Sequence, residues 1–204
     1  MKDKDAIKLD HSVSKPWFTG DTHFGHANII RLTKRPFADV LDMRGELIRN
    51  WNDRVAPKDI VYHLGDFTYR GEWADIVETW EALNGYKVLI KGNHDHERTI
   101  KELDWFGVHD SVMLMDLSGH HRLYLHHYPV SDWPGRFHDV IHLHGHIHAH
   151  APRTGRMRYD VGVDANGFAP VALSTILQWA DADKELRIEP IEGTNPEKGT
   201  GVEA

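Results

Sequence analysis

Three short apolar runs in the first half of the chain stop at a glycine followed by an acidic or amide residue. Trp17-Phe18-Thr19 runs into Gly20-Asp21, Ile60–Leu64 into Gly65-Asp66, and Lys87–Ile90 reaches Gly92-Asn93. Helix-patterned segments separate them. Val40, Met43, Leu47, Ile48 and Trp51 recur at helical spacing and predict an amphipathic helix over 39–55, closed by Pro57. Trp73, Ile76, Val77, Trp80 and Leu83 predict a second over 72–83, ended by Gly85. Strand, helix, strand, helix, strand is the order of an α/β domain with parallel pairing. The second half reads differently. Strand-like runs at Val112–Leu117, His121–His126, Val140–Leu143 and Met157–Val161 follow one another. A helix is predicted over Pro170–Trp179 and a last strand at Leu186–Ile188. Residues 1–15 read as extended or frayed. The Gly-, Thr- and Glu-rich tail 193–204 reads as disordered, which leaves 1–192 as a single domain.

Composition removes several function classes. A chain of 204 residues is long enough to bury a sizeable core. The net charge of −7 argues against a broad, non-specific nucleic-acid binder, which needs a positive surface. With no cysteine, disulfides, thiolate-held zinc and iron–sulfur clusters are excluded, and a cytoplasmic location fits. No run approaches 18 apolar residues and the charged start lacks an apolar core, so neither a membrane partner nor a secretory signal is expected. Histidine is over-used: the chain has 17, ten of them between His120 and His150. Histidine is the commonest protein metal ligand.

The strand ends carry the chemistry. In α/β sheets, sites form outside the carboxyl ends of the strands. Here those ends read Asp21-Thr22-His23, Gly65-Asp66, Gly92-Asn93-His94-Asp95, His126-His127 and Gly145-His146-Ile147-His148. Any one alone is ordinary turn or cap chemistry. No folding requirement places a His or Asp at every strand end.

In this order the motifs DTH, GD, GNHD, HH and GHIH resemble the signature of the calcineurin-like metallophosphoesterases, over about residues 17–148. The resemblance implies an α/β fold, a four-layer α-β-β-α sandwich of two mixed sheets flanked by helices, with two metal ions in a groove at the strand ends. It assigns Asp21, His23, Asp66 and His148 to one ion, and Asp66, Asn93, His127 and His146 to the other. Asp66 is then the bridge, as two cations about 3.5–4 Å apart require a shared carboxylate. Gly145 is expected to allow a tight turn that sends the two histidines to adjacent ions. Oxygen and imidazole donors suit transition metals. Manganese is the expected ion, and iron, nickel, cobalt and zinc are compatible. The implied reaction is hydrolysis of a phosphate mono- or diester by a hydroxide bridging the metals, with His94 as general acid.

Some positions stay open in the sequence. Many relatives carry an Asp three residues after the Gly-Asp motif, which orients the acid histidine. Tyr69 stands there, so a water or a distant carboxylate must orient His94. Of the pair His126-His127, the resemblance selects His127, which precedes Tyr128-Pro129. His26 reaches a substrate phosphate or supports a ligand, and Arg70 contacts phosphate or is a solvated surface residue. His63, His142 and His144 read as core histidines, with His144 a candidate to orient a ligand. Trp105 and Trp133 are candidate stacking platforms. The expected partner is a small phosphate ester met by a monomer or homodimer, with nucleic acid entering only as substrate. The rivals are a nuclease or cyclic-nucleotide phosphodiesterase on the same site, and a non-catalytic metal-binding scaffold.

Overall fold

The computed structural model describes residues 6–10, 14–116, 120–150 and 157–185. The predicted Leu186–Ile188 strand and the 193–204 tail lie outside them. Ten strands and five helices are formed among the described residues: β1 (Ile7–Leu9), β2 (Pro16–Thr19), α1 (Ala27–Leu32), α2 (Val40–Asn52), β3 (Ile60–His63), α3 (Trp73–Ala82), β4 (Tyr86–Ile90), α4 (Glu97–Glu102), β5 (Gly107–His109), β6 (Ser111–Asp116), β7 (Arg122–His126), β8 (Ile141–His144), β9 (Arg158–Asp160), β10 (Val171–Ala172) and α5 (Leu173–Glu185). No helix among these residues is long and apolar enough to cross a membrane.

The strands build two mixed sheets, ordered β1-β6-β7-β8-β9 and β10-β2-β3-β4-β5. In the second, β2 through β5 are parallel and β10 is antiparallel. In the first, only β6 and β7 are antiparallel. Phe18, Tyr62, Leu64, Val88 and Ile90 from the second sheet share one core with Leu114, Leu123, Leu125, Ile141 and Leu143 from the first. The other face of the second sheet is covered by helices. Met43, Leu47 and Trp51 of α2 and Ile76 of α3 bury against Val61 and Phe67. Asp39 caps α2 by accepting the amides of Leu41 and Asp42. This is the expected sandwich of two mixed sheets flanked by helices.

One expectation needs correction. The helix predicted to start at Pro170 begins at Leu173, because the backbone of Val171 and Ala172 pairs with Phe18 and Trp17 at the edge of the sheet. Of the extended or frayed alternatives for the N-terminal segment, residues 7–9 take the extended one. Ile7 to Leu9 pair in parallel with Leu114 to Asp116, and Leu9 alone is buried there.

His63 and His142 sit fully buried in this framework, as core histidines. Burial pushes His63 down to about 3, helped by His127. Burial likewise pushes His142 to about 3, against the hydrogen bonds to the Tyr124 and Tyr128 carbonyls. An unfolded histidine titrates near 6.5. Between those limits the unfolded chain binds protons that the folded chain refuses. The stability is therefore intact above about pH 6.5 and falls as the pH drops, by about 1.4 kcal/mol per pH unit for each histidine. Thermal melts of the metal-free chain should shift steadily downward from pH 6 to pH 4.5, and less steeply for His142→Gln. A melting temperature flat across that range would contradict it.

Candidate metal centre

The carboxyl ends of β2, β3 and β4 meet those of β7, β8 and β9 at one edge of the sandwich. Gly20, after β2, forms a parallel bridge with Gly162, after β9, and so joins the sheets there. The Asp21 amide donates to the Gly65 carbonyl, and the Gly145 amide to that of His127. The loops predicted to hold ligands are therefore laced together by their backbones.

Two groups of potential ligands converge at this edge: Asp21, His23 and His148, and Asp66, His127 and His146. Asp66 lies between them. Its Oδ2 is 3.5 Å from His23 Nε2 and 3.7 Å from His127 Nε2. Asn93 joins the second group, with Oδ1 3.0 Å from His127 Nε2. All seven residues expected to hold metal are thus brought to one place. His126 is not. Its ring stacks on Tyr124 and its Nδ1 faces the Tyr128 carbonyl.

The donors fit cations. Asp21 Oδ1 and both ring nitrogens of His23 are buried without a hydrogen-bond partner. Orphaned polar atoms of this kind are costly in a dry interior. His127 makes the same point. Its Nδ1 is 2.7 Å from the Leu64 carbonyl and its Nε2 faces Asn93 Oδ1. A neutral imidazole has one N–H for two oxygens. With the proton on Nδ1, two lone pairs converge where a cation would sit. Electrostatics agree. Burial, then the charges of Asp66 and Asp160, hold the Asp21 carboxyl well above its usual range. Positive charge between these groups relieves that repulsion.

Backbone strain gathers at the same residues. Asp21 (φ 55), His23 (φ 50), Asp66 (φ 57), His146 (φ 74) and His148 (φ 47) all occupy the left-handed region. Such positions cost on the order of 1–3 kcal/mol each and cluster at functional sites. Gly145 is different from the expectation. It is His146 that takes the left-handed turn. Gly145 is needed because a Cβ there would lie 2.6 Å from Asp21 Oδ2, the atom that accepts the His146 amide.

His94 sits at the rim, half-buried. Its backbone N–H donates to Asp66 Oδ1 at 2.8 Å. Its ring packs 5.4 Å from that of His23 and edge-on to Tyr69 at 4.7 Å. No carboxylate bonds its imidazole among the described residues, so the distant-carboxylate expectation gives way to Tyr69 itself as the neighbour. His26 lies beside the centre, 5.4 Å from His23 and 4.5 Å from Tyr69 between ring centroids. Arg70 is exposed, with its guanidinium 5.0 Å over the Tyr69 ring. His144 Nδ1 lies 3.0 Å from the Gly145 carbonyl, and among the described residues it makes no hydrogen bond to the side chain of a candidate ligand. Trp133 is buried, and the Trp105 ring packs on Phe67 and Trp80, so neither serves as a stacking platform.

Four charged residues were not assigned from sequence. Asp95 staples two loops, accepting the amides of Asp66 and Gly92 at Oδ2 and of Phe67 at Oδ1. Asp160 accepts the Gly162 amide behind Asp21. Asp164 and Arg35 form a buried pair beside His148. Burial alone would raise Asp164, but bonds from His148 and Arg35 outweigh it and hold its carboxyl well below the usual range.

The family profile described as calcineurin-like phosphoesterase matches residues 14–186. An uncharacterized protein of Methanocaldococcus jannaschii is 35% identical over 185 residues, covering 86% of this chain and 97% of the relative. The gene 66 protein of Mycobacterium phage D29 is 30% identical over 181 residues, covering 75% of this chain and 89% of the relative. The crystal structure of a protein of unknown function from Aquifex aeolicus superposes with a TM-score of 0.65 at 27% identity, covering 81% of this chain and 99% of that one.

Proposed function

The chain belongs to the calcineurin-like phosphoesterase family, and from that premise we propose that it hydrolyses phosphate esters with two divalent transition-metal ions. The observation that carries this reading is the placement of one buried carboxylate, Asp66, between two donor groups: in one, Asp21 Oδ1 and the His23 ring nitrogens lack partners, and in the other His127 Nε2 faces Asn93 Oδ1. On this reading Asp21, His23, Asp66 and His148 hold one ion, and Asp66, Asn93, His127 and His146 the other. Manganese is the expected ion; the donor set also accepts iron, nickel, cobalt or zinc. Bound ions supply an activated water and neutralise charge on the phosphoryl oxygens.

The chain's own residues do the rest. His94 protonates the leaving oxygen. Its tie to Asp66 through the backbone keeps it at the rim, and its imidazole is left free to reach substrate. His26 and Arg70 bind the phosphate from the Tyr69 side, and the left-handed φ of 57 at Arg70 turns the chain there. Small esters reach this open edge, and the enzyme works in the cytoplasm as a monomer or homodimer.

A hydrolysis screen tests the reading. Phosphate mono- and diesters are offered to the chain with Mn, Ni, Co or Zn added separately. We expect metal-dependent hydrolysis of at least one class, abolished by chelator. A chain that binds two ions yet cleaves nothing in the screen would be the metal-binding scaffold instead.

A further inference from the structure

We propose that Asp164 and Arg35 are positioning residues that fix His148 with its proton on Nδ1, leaving Nε2 open toward the Asp21 cluster. The proposal rests on the binuclear reading above, and assigns a role to two residues that none of the family motifs contains.

The geometry is specific. The Arg35 side chain is fully buried, and it grips Asp164 with two parallel bonds: Nε to Oδ1 and Nη2 to Oδ2, each 2.8 Å. Paired forks of this kind are the strongest and most directional ion-pair geometry. The remaining Arg35 donors reach the Asp21 carbonyl at 2.7 Å and the Thr22 carbonyl at 3.1 Å. One guanidinium therefore ties the loop after β2, in the second sheet, to the single helical turn Val163–Ala165 that follows β9, in the first. His148 Nδ1 stands 2.8 Å from Asp164 Oδ2.

A carboxylate held by arginine can only accept. The 2.8 Å contact therefore needs an imidazole proton on Nδ1, and in the neutral ring the lone pair is then left on Nε2. A carboxylate behind a metal-binding histidine orients the ring and makes it a better donor. His148 requires such support, because its own backbone is left-handed at φ 47 and it lies partly exposed. The competing account is a plain ion pair that clamps the two sheets, with His148 a bystander. The accounts diverge at the ion. A clamp affects both ions and the fold alike, whereas a positioning residue affects the ion that His148 serves.

Two measurements decide. In the metal-free wild-type chain labelled with ¹⁵N-histidine, long-range correlation spectra report each ring's tautomer, with the His148 signal assigned from its loss in His148→Gln. We expect Nδ1–H; Nε2–H at His148 would overturn the proposal without any variant of Asp164 or Arg35. Calorimetric titration with Mn²⁺ then compares wild type and Asp164→Asn. We expect one ion to weaken by about 10- to 100-fold and the other to hold, as removal of such supporting groups typically does. Unchanged binding of both ions, or equal weakening of both with a lower melting temperature, would overturn it. Wild-type protein that takes up no ion would instead sink the binuclear reading itself.

Discussion

Asp66→Ala is expected to empty the centre and abolish hydrolysis together. Asp66 is almost fully buried and divides its two oxygens between two tasks. Oδ2 faces His23 on one side and His127 on the other, and Oδ1 holds the His94 amide. Removing the carboxylate takes away the shared negative charge that lets two cations sit close together. It also frees the backbone that carries His94. Elemental analysis should therefore find both ions depleted, and the rate should fall to background. Loss of fold has to be separated from loss of metal, because alanine is strained at the φ of 57 that Asp66 adopts. Asp66→Asn provides that control. Asparagine tolerates the left-handed region and can still accept from His94, but carries no charge. It should melt like the metal-free wild type and remain inactive. Wild-type metal content in either variant would remove Asp66 from the centre.

His94→Ala should fail differently. His94 contributes only its backbone N–H to Asp66, and alanine retains that group. Both ions should stay bound. The rate should drop by roughly 10²–10⁴, the usual worth of a general acid. The loss should be largest for alkyl esters and smallest for nitrophenyl esters, whose leaving groups barely need a proton. Equal losses across leaving groups would make His94 a phosphate-positioning residue. Metal loss as complete as in Asp66→Ala would make it a ligand.

Much of this arrangement was legible in the residues. The spacing of Met43, Leu47 and Trp51 gave away α2, and the apolar runs before Gly-Asp and Gly-Asn gave away β3 and β4, with bounds within a few residues. What escaped was short. β10 has two residues and β1 three, too few to show alternation, and both exist because a neighbouring strand offers its edge. The six-residue helices α1 and α4 are too brief for a helical period to register. At the site, the motif residues converge, but those that brace them had no local signal. Arg35 and Asp164 are 129 positions apart, and only the closed sandwich brings them together. One clue was present. Val161-Gly162-Val163-Asp164 is a looser form of the earlier strand ends, an apolar stretch with a glycine and an acid two residues after it. The left-handed turns at His23, His146 and His148 had none: histidine is enriched in that region, but the conformation is uncommon even for it, and a chain with 17 histidines does not mark which of them adopt it.

On the proposed function, one chain holds two ions on a shared carboxylate. Counting ions tests it most directly. Purified wild-type chain, loaded with Mn²⁺, freed of excess and analysed for metal and protein together, should hold about two ions per chain. A single ion per chain, with all seven candidate ligands intact, would contradict it.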